Sequence, residues 1–193
     1  MKIAEDGEIL FKNKGLFKGY YQDEEGTREA LVGGWLHTGD VGEIDSDGYV
    51  KITGRKKDLI ITAGGKNVAP QHIENLLKFS PYINDAVVIG DTRKYLTAII
   101  VIDEENVSKY AQVNKVPYTT FASLTRSEEV IHLIQSEVHQ VNKQLARAEN
   151  IRKFRILDKK LYTEDGEVTP TMKVKRKFIN THYADLIESM YRE

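Results

Sequence analysis

Over the first sixty residues apolar and polar positions alternate in short runs, and beyond them they settle into longer stripes with helical spacing. Residues 41–44 and 49–53 alternate on either side of Asp47-Gly48. That pair tolerates positive φ, so the pattern predicts an antiparallel hairpin. Asp6-Gly7 is a second turn of this kind ahead of Ile9 and Phe11, and Gly15 and Gly19 bracket Leu16 and Phe17. The polar residues 22–28 read as a loop or short helix. Leu59-Ile60-Ile61 is a further strand-like run, broken by Ala63-Gly64-Gly65, where a backbone can turn sharply or admit a ligand closely.

At Pro70 the period changes. Proline suits the first helical position, Ile73, Leu76 and Leu77 then share a face, and Ser80-Pro81 ends the helix. Residues 85–90 and 95–102 predict two apolar strands joined by the charged turn 91–94, and Asp103 caps a short helix carrying Val107, Tyr110 and Ala111. Thr125 and Glu128 fit a capping box. The helix it would open places Val130, Ile131, Ile134, Val138, Val141 and Leu145 on one stripe and should run roughly 30 Å. Phe154 and Ile156 predict another strand and Asp165-Gly166 a turn into the loop VTPTM. Ile179, Tyr183, Leu186, Ile187 and Met190 predict a single final helix. The expected class is α+β: a small β-sheet packed with helices, preceded by a β-rich segment.

Composition narrows the chemistry. With 28 basic against 29 acidic residues among 193, no global field recruits nucleic acid or an acidic surface. The absence of cysteine excludes disulfides, thiolate metal sites and a thioester on the protein itself, so any thiol must come from a ligand. His37, His72, His132, His139 and His182 never stand at the i, i+4 spacing of a metal site, and no metal ligands are expected. Apolar runs are far shorter than the ~20 residues that span a bilayer. With no signal-peptide pattern at Met1, the expected location is cytoplasmic, with room for peripheral membrane contact.

Three stretches carry more than pattern. GWLHTGDVGEID followed by GYVKITGRKKDLIITAGGKNVAP resembles the adenylate-forming superfamily of acyl-CoA synthetases, luciferases and peptide-synthetase adenylation domains. GEILFKNKGLFKGYY upstream and TPTMKVKRKF near the end resemble two further motifs of that family, in family order. The wording ITAGGKNVAP and TPTMKVKR is most similar to long-chain fatty-acid CoA ligases. The resemblance implies a β-rich remnant of a large N-terminal adenylating domain at 1–56 and a mobile C-terminal α+β lid at 57–193. It also implies ATP or AMP, Mg2+ and coenzyme A for the intact enzyme, none of them needed for this segment to fold. The implied partners are a fatty acid and the N-terminal domain of the same protein.

Residue by residue, the resemblance gives Asp40 and Arg55 to the ribose of the nucleotide, where a carboxylate accepts from hydroxyls and a guanidinium presents a fixed fork of donors. Either residue could instead merely cap a turn or belong to a solvated charge run. Gly64 and Gly65 are implied to admit the thiol arm of coenzyme A; the loop is one residue longer than the family's, which leaves both glycines open, and Lys66 with Asn67 would help hold that ligand. Lys173 is implied to stabilise the charge that develops in adenylation, chosen because Arg176 then falls three residues later, as in the family pattern. The preceding VTPT departs from the commoner Ser-Gly wording, so Lys175 stays as the alternative. Lys57, in GRKKD, matches the family's hinge, with Lys56 its neighbour and rival. No stretch resembles the phosphate loop, acyl pocket or metal-binding acid, so the segment alone is expected to be inactive. Two rivals remain: a sibling that passes acyl-adenylates to a carrier protein, and a nucleotide-binding or interaction module without catalysis.

Overall fold

The computed structural model describes residues 1–192, which form two compact units, one of residues 1–59 and one from residue 60 onward. In the first, strands β1 (Lys2–Ile3), β2 (Glu8–Phe11), β3 (Leu31–Val32), β4 (Trp35–Ile44) and β5 (Val50–Arg55) make one antiparallel sheet. Its order is β1-β2-β4-β3, with β5 also on β4. The hairpin expected around Asp47-Gly48 is β4–β5, longer than the alternation suggested, and Gly48 has φ +86°. Asp45 organises the turn, its carboxylate accepting from the Asp47 and Tyr49 amides at 3.0 and 2.8 Å. The polar stretch near residue 22 becomes helix α1 (Glu24–Ala30), capped by Asp23. A 3-10 turn at Lys56–Asp58 follows β5.

The second unit is built around β9 (Leu96–Ile102), every residue of which is buried. It pairs antiparallel with β8 (Ile83–Ile89) and parallel with β10 (Ile151–Ile156). Alternate side chains leave a strand on opposite faces, and here both faces are covered, which explains a run apolar throughout except for the buried Thr97. Leu96, Ala98, Ile100 and Ile102 pack with α2 (Pro70–Lys78), α3 (Glu104–Val113), α4 (Phe121–Thr125) and α5 (Glu128–Asn142). Ile99 and Val101 pack with Leu157, Val168 and the helices α6 (Arg176–His182) and α7 (Ala184–Tyr191). A two-stranded hairpin, β6 (Ile60–Ile61) with β7 (Asn67–Val68), precedes α2.

Three expectations need correction. Thr125 opens no capping box: its hydroxyl donates back to the Ala122 carbonyl at 2.9 Å and closes α4. The box is made by Thr120 and Ser123 at the start of α4, and α5 begins at Glu128 without a side-chain cap. Second, α5 has 15 residues, about 22 Å at 1.5 Å each, not the length extrapolated from Leu145, which packs on the core from beyond the helix. Ile131 lies off the buried stripe and is 38% exposed. Third, the single final helix is two. Tyr183 leaves helical geometry (φ −102°, ψ 24°) between α6 and α7, its hydroxyl committed to the buried Glu167.

Candidate functional site

Within the first unit, Asp40 and Arg55 are cross-strand partners on β4 and β5. Arg55 Nε lies 3.0 Å from Asp40 Oδ1, and its Nη1 donates to the Thr38 carbonyl at 3.3 Å. With the arginine side chain half exposed, such a pair is worth only about 0–1 kcal/mol to stability. That leaves a carboxylate presented by a guanidinium on the rim of a sheet, an arrangement able to accept hydroxyls. Beside it a groove of about 650 Å³ is lined by Tyr20, Glu29, Thr38, Gly39, Arg55 and Lys57 among others.

The scaffold beneath is Glu8, a carboxylate only 3% exposed. It accepts from the Gly39 amide and Lys56 Nζ, both at 2.9 Å, and meets His37 Nδ1 at 3.0 Å. Burial pushes its carboxyl up, but Lys56, His37 and the Gly39 amide outweigh burial and hold it below its ordinary value. Lys56 also reaches Asp6 at 2.6 Å. The two candidate hinge lysines therefore differ. Lys56 is tied into the sheet, whereas the exposed Lys57 has no ion pair among the described residues, and the division of the chain falls two residues on, between Leu59 and Ile60.

In the second unit the glycine pair sits at the tip of the β6–β7 hairpin. Thr62 and Lys66 close it, with the Thr62 amide donating to the Lys66 carbonyl at 3.0 Å and the Gly65 amide to the Thr62 carbonyl at 2.8 Å. The turn 91–94 buttresses it: Ala63 N donates to the Arg93 carbonyl at 2.9 Å and Ile61 N to Asp91 Oδ1 at 3.1 Å. The two glycines are not equivalent. Gly65 has φ +72°, which L side chains disfavour, while Gly64 has no such φ and a Cβ there would meet only Thr62 Oγ1 at 3.9 Å. The turn needs Gly65; nothing in the fold needs Gly64 to lack a side chain. Lys66 is exposed and unpaired among the described residues.

Lys173 does not lie in the first turn of a helix. It ends a tight loop whose stems meet in the Val168–Val174 bridge, with the Thr169 amide on the Lys173 carbonyl at 2.8 Å and the Lys173 amide on Thr169 Oγ1 at 3.0 Å. Its ammonium is exposed and has no ion pair among the described residues. Lys175 instead occupies the N-cap of α6, its amide donating to the Glu167 carbonyl at 2.9 Å.

Sequence reasoning passed over three acids: Glu8, Glu74 and Glu167. Glu74 accepts from the Val88 amide at 2.7 Å and pairs with Arg176, whose Nη1 donates to the Val88 carbonyl at 3.2 Å, so the pair plugs the free edge of β8. Burial pushes the Glu74 carboxyl up, only partly countered by Arg176. Its signal was readable: Pro70, Ile73, Glu74 and Leu77 form the buried stripe of α2, with one charge in it. Glu167, wholly buried, accepts from Lys159 Nζ at 3.0 Å, the Tyr162 amide at 2.9 Å and the Tyr183 hydroxyl. No periodic pattern surrounds it.

A mixed helix-and-sheet fold of this kind is the architecture of the C-terminal domain of adenylate-forming enzymes. The adenylation domain of a carboxylate reductase from Mycobacterium chelonae superposes with a TM-score of 0.75 at 28% identity, over 97% of this chain and 28% of that one. The chain belongs to the AMP-binding enzyme C-terminal domain family, which matches residues 57–193. Long-chain-fatty-acid–CoA ligase FadD15 of Mycobacterium tuberculosis is 44% identical over 100% of this chain and 32% of its own length. The ligase ACSBG2 of Gallus gallus is 38% identical over 97% of this chain and 27% of its own. The chain thus spans about a third of the length of the curated relatives it matches.

Proposed function

We propose that this chain is the C-terminal part of an enzyme that converts a long-chain fatty acid to its coenzyme A thioester at the expense of ATP. A carboxylate oxygen of the acid attacks the α-phosphorus and pyrophosphate leaves; the thiol sulfur of coenzyme A then attacks the acyl carbon and AMP leaves. The observation that supports this above all is the 44% identity, along the entire chain, to a protein named as such a ligase. In this reading Asp40 and Arg55 hold the ribose, and Lys173 brings its unpaired ammonium to the oxygens that gain charge in the first step. The open Gly64 admits the thiol arm in the second, with Gly65 forming the turn and Lys66 free to meet a phosphate. Lys57 supplies the pivot between the two uses of the lid.

No cluster of three or more His, Asp or Glu among the described residues could hold a metal. Magnesium would accompany the nucleotide, and no step is assigned to it here. The phosphate cradle and acyl pocket belong, in this reading, to the other two thirds of the enzyme. A cytoplasmic enzyme touching membranes at their periphery fits a fatty-acid substrate; no helix among the described residues is long and apolar enough to cross a bilayer, and fractionation would test the placement.

The test separates the half-reactions in the full-length enzyme. Lys173→Ala should slow pyrophosphate release with ATP and palmitate by about 10²–10³-fold, while supplied palmitoyl-adenylate still yields the thioester. Lys175→Ala should slow neither half-reaction, and the 193-residue chain alone should release no pyrophosphate. Transfer of the acyl group to a phosphopantetheine carrier in preference to coenzyme A would replace this reading with that of a carrier-loading sibling. Nucleotide binding without pyrophosphate release would replace it with a non-catalytic module.

A further inference from the structure

Among the described residues, the loop that carries Lys173 is closed from within by hydrogen bonds of Thr169 alone: its amide to the Lys173 carbonyl, its carbonyl from the Met172 amide and its hydroxyl from the Lys173 amide. Its tip is Thr169-Pro170-Thr171-Met172, Met172 sits at φ +60° and is 62% exposed, and none of the four is buried. Both of its stems nevertheless lead to one residue. Glu167 begins the first stem, and its carbonyl receives the Lys175 amide from the second at 2.9 Å, directly below the Val168–Val174 bridge. The Glu167 side chain turns inward and is 0% exposed.

That carboxylate is fully engaged. Lys159 Nζ and the Tyr183 hydroxyl donate to Oε1, the Tyr162 amide donates to Oε2, and Lys159 also pairs with Asp165. Its donors come from the segment after β10 and from the junction of α6 and α7. A buried ion pair is weak evidence for stability, because desolvation offsets most of the Coulomb gain, while hydrogen bonds from three directions fix position. The Glu167 carboxylate itself is out of reach of any ligand, so its effect on chemistry must pass through the loop.

We propose that Glu167 is a positioning residue for Lys173: held by Lys159, Tyr162 and Tyr183, it fixes the stems of the loop and so the place of the lysine ammonium. This rests on the adenylation role proposed for Lys173. The role is geometric, and a misplacement of about 1 Å at a reacting group costs on the order of 10²-fold in rate.

The experiment uses the full-length enzyme with Glu167→Gln, which keeps the shape and removes the charge, and Tyr183→Phe, which removes one donor and leaves the fold a second chance. Each should slow acyl-adenylate formation, Glu167→Gln by about 10–100-fold and Tyr183→Phe by less, with thioester formation from supplied acyl-adenylate unchanged. In a Lys173→Ala background Glu167→Gln should add no further loss, because the two residues act through one group. Multiplicative losses in the double variant, or equal losses in both half-reactions, would make Glu167 a structural residue and overturn the proposal. Normal adenylation by both single variants while Lys173→Ala is crippled would overturn the positioning role alone. Normal adenylation by Lys173→Ala would remove the functional reading and this role with it.

Discussion

The glycine loop and the lysine loop of the second unit are both short, exposed hairpin tips, but they are held in different ways. The glycine loop leans on a neighbouring turn, chiefly through main-chain hydrogen bonds from Ala63 to Arg93 and from Thr92 to Ile61. The lysine loop stands on buried charge, with Glu167 under its stems and the Glu74–Arg176 pair under the helix that follows. On the roles proposed above, the difference follows from what each loop would present. A passage for a thiol arm needs empty space, which a backbone turn supplies by itself. A catalytic ammonium must be held at a point on a flexible four-carbon stem, and only its main chain can be fixed from below.

If the two loops serve successive steps, the test with the largest expected effect bears on the segment that lets one give way to the other. Lys57 is exposed in the Lys56–Asp58 turn, beside a Lys56 locked to Asp6 and Glu8. Lys57→Pro fixes φ near roughly −65°, so the full-length variant should still form acyl-adenylate at a normal rate while thioester formation falls by orders of magnitude. Lys57→Ala should change neither much. Single-turnover assays of each half-reaction decide, and a normal thioester rate in the proline variant would move the pivot elsewhere.

A smaller effect separates the two glycines. Gly64→Ala places a methyl in open space, so melting should not shift, yet thioester formation should drop about tenfold if that space is the passage. Gly65→Ala forces an L side chain into φ +72° and should destabilise by about 1–2 kcal/mol. Loss of thioester formation in Gly65→Ala with full activity in Gly64→Ala would exchange their roles.

The same contrast explains what the sequence could reveal. The β9 run, the Pro70 helix and the Asp47-Gly48 turn are local statements, in which apolar period, a fixed φ and a tolerated positive φ each act within a few residues. The candidates Asp40, Arg55, Gly64 and Lys173 were named because motif wording marks them, not because a local pattern does. Arg176 served only as a ruler for Lys173, although it also closes the edge of β8 through Val88. Glu8 and Glu167 were illegible for a physical reason: a buried acid is allowed only by donors distant in sequence, such as Lys56 for the one and Tyr183 for the other. The split of the final helix at Tyr183 was hidden for the same reason, since its hydroxyl partner lies sixteen residues earlier.

The smallest effect is one of pH, and it sharpens the comparison because the stems of the lysine loop rest on a buried carboxylate, whereas the hydrogen bonds that close the glycine loop are chiefly main-chain to main-chain. Burial pushes the Glu167 carboxyl up, but Tyr183, the Tyr162 amide and Lys159 together bring it below the ordinary 4.5. A depressed carboxyl contributes stability that is present above its unfolded value and is lost as pH falls through the folded one. The stems of the lysine loop should therefore loosen at acid pH, below 4.5. Glu74 acts with the opposite sign: burial raises its carboxyl, so its contribution grows as pH falls through that raised value, and the α6 anchor should hold while the loop loosens. The glycine loop's Thr62 and Ala63 amides donate to the Lys66 and Arg93 carbonyls, which do not titrate. Amide hydrogen exchange, corrected for intrinsic rates and followed from about pH 6 to about pH 3.5, should show protection falling at Thr169 and Lys175 before it falls at Thr62 and Ala63. Glu167→Gln should show that weakened protection at all pH values. Simultaneous loss in both loops would mean that they open as one unit, and the contrast between a backbone-held and a charge-held loop would fail.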